Sequence, residues 1–126
     1  AAFEDAVAYI NERKQSGRTI LEFQGVQFLI ADLATELAQC EAWLWYVAGL
    51  VDRGETDFGV EASMLKMRAS DLAMRIATEA VQLYGGYGYC KDYRVERLMR
   101  DAKITQIWEG TNQIHRQFIG KSFIEK

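Results

Sequence analysis

A long apolar repeat between Val26 and Val51 restricts the fold of this chain more strongly than any other pattern in it. Its members follow one another at alternating steps of four and three residues: Val26, Ile30, Leu33, Leu37, Cys40, Leu44, Val47 and Val51. This spacing, kept over more than three heptads, lines the side chains up along one side of an α-helix. At 1.5 Å per residue the helix would be about 40 Å long. Gly54 is a suitable residue for ending it.

Further helices are predicted on both sides of this repeat. The sequence contains no proline, which favours uninterrupted helices over a turn-rich β fold. We expect a first helix up to about Gln15, a third from about 56–58 to Gly85, and shorter helices over about 95–106 and 112–123. The predicted fold class is therefore all-α: an antiparallel up-and-down bundle resembling a four-helix bundle, with no sheet. The last helix would turn three apolar residues inward: Ile114, Phe118 and Ile119.

The 126 residues are long enough to bury one hydrophobic core, so a single domain over 1–126 is expected. The first residues already follow a helical pattern, and no capping residue stands before them. We therefore expect the sequence to be a fragment that begins inside a helix.

Charge and cysteine content argue against several classes of function. Fifteen basic and eighteen acidic residues give a net charge of −3 without a basic cluster, which disfavours binding to nucleic acid or to an anionic membrane surface. No apolar run approaches the length of a membrane span. Cys40, Cys90 and the single histidine, His115, lack metal-ligand spacing, so no metal site is expected and both thiols are interpreted as free in a reducing compartment.

Three aromatic residues, Trp43, Trp45 and Tyr46, lie off the apolar repeat of the second helix. Apolar area on several sides of one helix suggests burial between helices or at a subunit contact. Packing within the core is the alternative for each of them.

The helical pattern breaks at Glu109, which stands between Trp108 and Gly110 and ahead of Thr111, a good N-cap residue. A carboxyl group held beside an indole and away from water would have a raised pKa, as a general base requires. Gly110 would let a ligand approach the backbone closely. The alternative is a solvated glutamate in a turn between two helices.

Two other stretches allow a structural and a functional interpretation. Arg13 lies near the C-terminal end of the first helix, where a positive charge interacts favourably with the helix dipole. The segment from Gln82 to Tyr89 contains three glycines, whose spacing is not that of a dinucleotide-binding fingerprint. Its structural interpretation is a glycine C-cap followed by an aromatic loop, and its functional interpretation is a backbone that lies against a flat or phosphorylated ligand.

Five motifs in order along the chain resemble the C-terminal helical domain of the acyl-CoA dehydrogenases. They are ERKQSGR at 12–18, FQGVQ at 23–27, AVQLYGGYG at 80–88, VERLMRDAKI at 95–104 and WEGTNQI at 108–114. The resemblance covers essentially the whole chain, and several motifs in register are more specific than any one. It implies that an N-terminal helical domain and a middle β-domain belong to the same protein.

The resemblance also implies a reaction. Members of this family oxidise an acyl-CoA to the trans-2-enoyl-CoA with FAD and pass the electrons to an electron-transfer flavoprotein. By this resemblance Glu109 would be the catalytic base, Gly110 would line the substrate, and the Glu109 amide would bind the thioester oxygen. Flavin contacts would come from Thr111 and Gln113. A further set would contact the FAD of a neighbouring subunit: Arg13, Gln24, Gln82, Leu83, Tyr84, Gly85 and Gly86.

Shared flavin sites imply a homo-oligomer, a dimer or a tetramer, and the family resemblance places the protein in a bacterial cytoplasm or in the mitochondrial matrix. The chain departs from the family pattern at several positions. Ser16 replaces a usual phenylalanine, so an aromatic contact near the neighbour's flavin would be lost, and His115 replaces a usual glutamine. Two alternatives remain from the sequence: a helical oligomerisation module with no chemistry, and a domain of an acyl-CoA oxidase.

Overall fold

A computed structural model describes residues 1–124, most of which lie in six α-helices. The expected all-α class is confirmed. Along the chain the elements are α1 (Ala2–Glu12), β1 (Lys14–Gln15), β2 (Arg18–Thr19), a 3₁₀ turn (Ile20–Glu22), α2 (Gln24–Asp52), α3 (Gly59–Tyr84), α4 (Gly86–Tyr89), α5 (Val95–Thr105) and α6 (Asn112–Lys121).

The two longest helices, α2 and α3, form the expected antiparallel hairpin. Trp43 on α2 donates through Nε1 to the carbonyl oxygen of Glu61 at the start of α3, at 3.2 Å. Farther from the loop that joins the two helices, Glu36 on α2 accepts from Arg68 at 2.6 Å and also pairs with Arg75. Residues with decreasing numbers on α2 therefore pair with residues of increasing numbers on α3, as antiparallel helices require.

Helix α3 is the centre of the domain, because it contacts all five other helices. Its apolar stripe lies in two neighbouring clusters. Leu72 and Ile76 pack against Leu33 of α2. Toward its end, α3 packs against α1 and α5 in a cluster of five buried residues: Ala6, Ile10, Ala80, Leu83 and Val95.

The structure corrects the expected end of the first helix and the expected absence of a sheet. Helix α1 ends at Glu12, not at Gln15, and the following residues form a small antiparallel ribbon in which Lys14 faces Thr19. Ser16 and Gly17 form the turn of the ribbon with φ of 52° and 82°. Two consecutive left-handed residues reverse the chain tightly and bring the flanking residues into register.

Two further expectations are wrong. The segment Gly86–Tyr89 is a short helix and not a loop. Helix α6 ends at Lys121, and its Ile114 side chain is 56% exposed instead of pointing inward. Phe118 is 48% exposed, although its ring lies beside Gly59 at the start of α3.

Only some residues of the apolar repeat of α2 are buried within the described part of the chain. Leu33 and Val47 are buried, whereas Leu37 and Leu44 of the same repeat are 40% and 48% exposed, and Trp45, which lies off the repeat, is 69% exposed. This chain therefore leaves an apolar face of α2 open. Among the described residues, no helix combines the length and the apolar character that crossing a membrane requires.

Candidate functional site

An open groove of about 880 Å³ lies where the end of α1, the ribbon, the start of α2 and the end of α3 meet. Six of the predicted flavin-contacting residues line it together: Arg13, Gln82, Leu83, Tyr84, Gly85 and Gly86. Gln24 is not part of the lining, although its neighbours Phe23 and Gly25 are. Residues about seventy positions apart in the sequence thus face one cavity.

Arg13 stands at the end of α1 with its side chain exposed. Its guanidinium carbon lies 5.4 Å from the centre of the Tyr87 ring, a cation–π distance. Within residues 1–124, Arg13 forms no salt bridge with a carboxylate. A planar fork of donors held against a ring at the edge of a groove is suited to bind a phosphate or carboxylate group.

The floor of the groove is fixed by aromatic packing. The Tyr84 ring stacks on Tyr9 with the ring centres 3.9 Å apart, and its hydroxyl donates to the carbonyl oxygen of Asp5 at 3.2 Å. Burial raises the pKa of the Tyr84 hydroxyl. The Asp5 carboxylate accepts two hydrogen bonds from Arg94, at 2.6 and 2.7 Å, and these bonds lower its pKa. The end of α3 is thereby tied to α1 and to the start of α5.

Glycines determine the path of the backbone beside this floor. Gly85 ends α3 with φ 62° and ψ −141°, a conformation that is essentially restricted to glycine. Gly88 is buried, and a Cβ atom there would lie 2.6 Å from the carbonyl oxygen of Val81 and 2.7 Å from Cβ of Tyr84. Helix α4 can therefore lie against α3 only because position 88 has no side chain.

The turn that carries Glu109 lies in a separate part of the domain, between α5 and α6. Glu109 and Gly110 have φ of 52° and 86°, so two consecutive residues are left-handed. Nε2 of His115 contacts the Glu109 carbonyl oxygen at 3.1 Å, and Nζ of Lys66 donates to the Gly110 carbonyl oxygen at 2.7 Å. Thr111 caps α6 as expected, because its hydroxyl accepts from the amide of Ile114.

The chain by itself does not place Glu109 in an apolar environment. The side chains of Glu109 and Trp108 are both exposed, the indole by 55%. Within residues 1–124, no protein group accepts a hydrogen bond from the Glu109 amide. Glu109 therefore combines an exposed side chain with an amide N–H that has no acceptor within residues 1–124.

A polar network inside the domain, which was not predicted from the sequence, anchors this turn to α3. Asn112 is 2% exposed, and its amide nitrogen donates to Ser70 Oγ at 2.8 Å and to Asp71 Oδ1 at 2.7 Å. Asp71 also accepts from Gln106 and Arg116. Burial alone would raise the pKa of Asp71, but these hydrogen bonds outweigh it and lower the pKa.

The remaining predicted contacts, Thr111 and Gln113, line a smaller pocket of about 220 Å³ beside Asp71 and Arg116. Glu109 and Gly110 line neither cavity. The predicted residues other than Gln24 thus lie in three places: the groove, the turn and the smaller pocket. Ser70, four residues after Lys66, was the available sequence signal for the network, since polar residues at this spacing share a helix face.

A family model described as the acyl-CoA dehydrogenase C-terminal domain matches residues 1–124. An acyl-CoA dehydrogenase of Bacillus subtilis is 53% identical over 121 residues, which are 96% of this chain and 32% of that protein. Butyryl-CoA dehydrogenase from Megasphaera elsdenii superposes with a TM-score of 0.93 at 42% identity, over 98% of this chain and 32% of that one. A chain in a structure of the electron transferring flavoprotein of Acidaminococcus fermentans gives a TM-score of 0.94 at 45% identity, over 99% and 33%.

These matches cover nearly all of the chain with both sequence and fold in agreement. The chain belongs to the family of acyl-CoA dehydrogenase C-terminal domains. It spans about a third of the length of the relatives that it matches.

Proposed function

We propose that this chain is the part of an FAD-dependent acyl-CoA dehydrogenase that carries the catalytic base and one side of a flavin site. The whole protein would oxidise an acyl-CoA to the trans-2-enoyl-CoA. Family membership and the names of the relatives support this proposal. The observation that carries it is the groove, in which Arg13 and the segment from Gln82 to Gly86 face one cavity.

The groove residues fit the parts of FAD. Arg13 offers parallel donors that suit a diphosphate, and it has no competing carboxylate partner within residues 1–124. Gln82 offers an amide, and Gly85 and Gly86 let a planar ligand approach the backbone. When bound, FAD supplies the acceptor for the hydride that leaves the β-carbon of the substrate. The groove would hold the FAD of a neighbouring subunit.

Glu109 would remove the α-proton of the acyl-CoA, and Gly110 would lie against the substrate chain. Loss of this proton places negative charge on the thioester oxygen, so a fixed N–H donor lowers the barrier. The Glu109 amide is such a donor and is free within the described residues. Because Glu109 is exposed in this chain, the surfaces that exclude water from it would come from the rest of the protein. Thr111 and Gln113 would contact the flavin beyond the base.

Electrons would then pass to an electron-transfer flavoprotein. The protein itself would be a homodimer or a homotetramer. The open apolar face of α2, with Leu44 and Trp45 exposed, supports association of subunits.

The experiment is an activity assay on the full-length protein with FAD bound. We expect oxidation of an acyl-CoA, with formation of the trans-2-enoyl-CoA, to depend on an electron-transfer flavoprotein or an artificial one-electron acceptor. Turnover supported by oxygen alone, with hydrogen peroxide as a product, would identify an oxidase instead. A protein that neither binds FAD nor oxidises any acyl-CoA would contradict the proposal and favour an oligomerisation module.

A further inference from the structure

Lys66 on α3 joins the central helix of the domain to the turn that carries Glu109. Its ammonium group donates to the Gly110 carbonyl oxygen at 2.7 Å and to Oδ1 of Asn112 at 2.8 Å. These two acceptors lie on either side of Thr111, so one cation holds both ends of the segment that follows Glu109. The lysine is half-buried, and its hydrogen bond to Asn112 is partly buried, which strengthens that bond relative to one on a fully solvated surface; its hydrogen bond to the Gly110 carbonyl is exposed.

The conformation of this turn needs such support. Glu109 is a residue with a Cβ atom at φ 52°, and the next residue is left-handed as well. Left-handed backbone is unfavourable for residues other than glycine and persists where the surroundings fix it. Here both carbonyl groups of the turn are held, that of Glu109 by His115 and that of Gly110 by Lys66. Since a carbonyl can only accept, Nε2 of His115 carries the proton in this hydrogen bond.

Attachment of the loop and orientation of the turn depend on different groups. Asn112 keeps its hydrogen bonds to Ser70 and Asp71 without any help from Lys66. The loop would therefore stay attached to α3 if Lys66 were replaced. The Gly110 carbonyl would not, because within residues 1–124 Lys66 is the group that donates to it. Removing Lys66 frees the peptide next to Glu109 while leaving the core network in place.

We infer that Lys66 is a positioning residue for Glu109. By holding the Gly110 carbonyl, Lys66 fixes the left-handed turn and hence the placement of the Glu109 carboxylate relative to the Glu109 amide N–H. This inference rests on the proposed function, in which both groups act on one thioester. Lys66 touches neither substrate nor flavin in this scheme. Its effect would pass through the backbone, and a displacement of about 1 Å at a reacting group lowers a rate by as much as about 100-fold.

The test compares variants of the full-length protein with FAD bound. Lys66→Met keeps the aliphatic length and removes the donors, and Lys66→Gln is shorter and cannot reach both acceptors. Lys66→Arg restores charge and donors. The matched control is Arg68→Met, which removes another cation from α3, one that pairs with Glu36 on α2 and, within residues 1–124, forms no hydrogen bond with the turn.

Two rates are measured per bound flavin: anaerobic flavin reduction by acyl-CoA, and exchange of the α-proton of a 3-thia-acyl-CoA with D₂O. The analogue has sulfur in place of the β-carbon and cannot give up a hydride, so exchange reports proton removal alone. We expect Lys66→Met and Lys66→Gln to lower both rates by about 10- to 100-fold. Analogue binding and FAD content should be unchanged, Lys66→Arg should recover part of the rate, and Arg68→Met should match the wild type.

The outcomes separate this inference from the proposed function. Wild-type protein that neither exchanges the α-proton nor reduces its flavin would contradict the proposed function itself. Active wild type, with Lys66→Met or Lys66→Gln equally fast per bound flavin, would overturn the positioning role alone. A loss that only follows the fraction of folded, FAD-loaded protein would also overturn it, because lower stability without misplacement does not slow the remaining sites.

Discussion

Replacing Asn112 by alanine should destabilise the domain more than its small change in volume suggests. Asn112 is almost completely buried, at 2% exposure, in the network between α3 and α6. Its amide nitrogen has two hydrogens, and the two shortest contacts are those to Ser70 and Asp71, at 2.8 and 2.7 Å. Its oxygen accepts from the Lys66 ammonium at 2.8 Å. Two of these three hydrogen bonds involve a charged group.

The expected loss is smaller than the sum of these hydrogen bonds, because the partners keep others. Asp71 still accepts from Gln106 and Arg116, Ser70 still donates to the carbonyl oxygen of Lys66, and Lys66 still binds Gly110. Charged hydrogen bonds contribute about 1.5–3 kcal/mol and neutral ones about 1, so with partial compensation we expect a loss of about 2–4 kcal/mol.

Urea unfolding of the chain, followed by far-ultraviolet circular dichroism at low protein concentration, measures this change in the free energy of unfolding. Asn11→Ala is the matched control: the same substitution removes one hydrogen bond, to the Val7 carbonyl oxygen, on an exposed face of α1. It should cost no more than about 0.5 kcal/mol. If Asn112→Ala were as mild as Asn11→Ala, the network would not hold the turn to α3.

Three other changes probe the groove and the surface. Arg94→Met should lower the free energy of unfolding at neutral pH, because Arg94 pairs with the Asp5 carboxylate. The difference from wild type should vanish as the pH falls through the lowered pKa of Asp5, below the usual value near 3.9, because the stability from a carboxylate of depressed pKa is lost on protonation. Urea unfolding at several pH values measures this difference, and a difference that does not change with pH would show that the pair contributes nothing. Gly88→Ala should cost about 1–3 kcal/mol, since its Cβ would lie 2.6 Å from a backbone oxygen of α3, and a thermal melt equal to wild type would contradict that contact. Trp45→Ser should reduce self-association of the chain in sedimentation experiments, because this side chain is 69% exposed on an apolar face, and unchanged association would place the contact elsewhere.

Periodicity predicts the helices of this chain well, because the apolar spacing along one helix face is a local property of the sequence. The repeat from Val26 to Val51 corresponds to α2, and Gly54, with φ 72°, follows its end as expected. Thr111 as N-cap of α6 is a similar case, since its hydroxyl bonds the backbone three residues on. Both signals act within a few residues and need no knowledge of the partner.

The missed features depend on contacts between distant segments or on consecutive left-handed residues. The ribbon after α1 arises because Ser16 joins Gly17 in a left-handed turn, which the pattern of a helix stop does not distinguish. Ile114 satisfies the helical pattern of α6 but is exposed, since periodicity does not tell which faces this chain alone covers. The link from Lys66 to Gly110 spans 44 residues and has no local signature.

The residues of the candidate site were predicted from the family resemblance, and only some of them lie together. The resemblance named Arg13 and the segment from Gln82 to Gly86, and the structure places them in one groove. It named Gln24 too, which does not line that groove. The roles proposed for Glu109 and Gly110 stay predictions, because both residues are exposed in this chain and a closed pocket around them would have to come from the rest of the protein.

The proton-abstracting role of Glu109 is tested most directly by anaerobic stopped-flow reduction of the flavin in full-length Glu109→Gln. The amide keeps the shape of the side chain and cannot accept the α-proton. A general base contributes about 10²–10⁴-fold, so flavin bleaching by acyl-CoA should slow by at least that factor while FAD and acyl-CoA still bind. Glu55→Gln, an exposed glutamate in another connection between helices, should bleach at the wild-type rate. Bleaching of Glu109→Gln at nearly the wild-type rate would show that Glu109 is not the base.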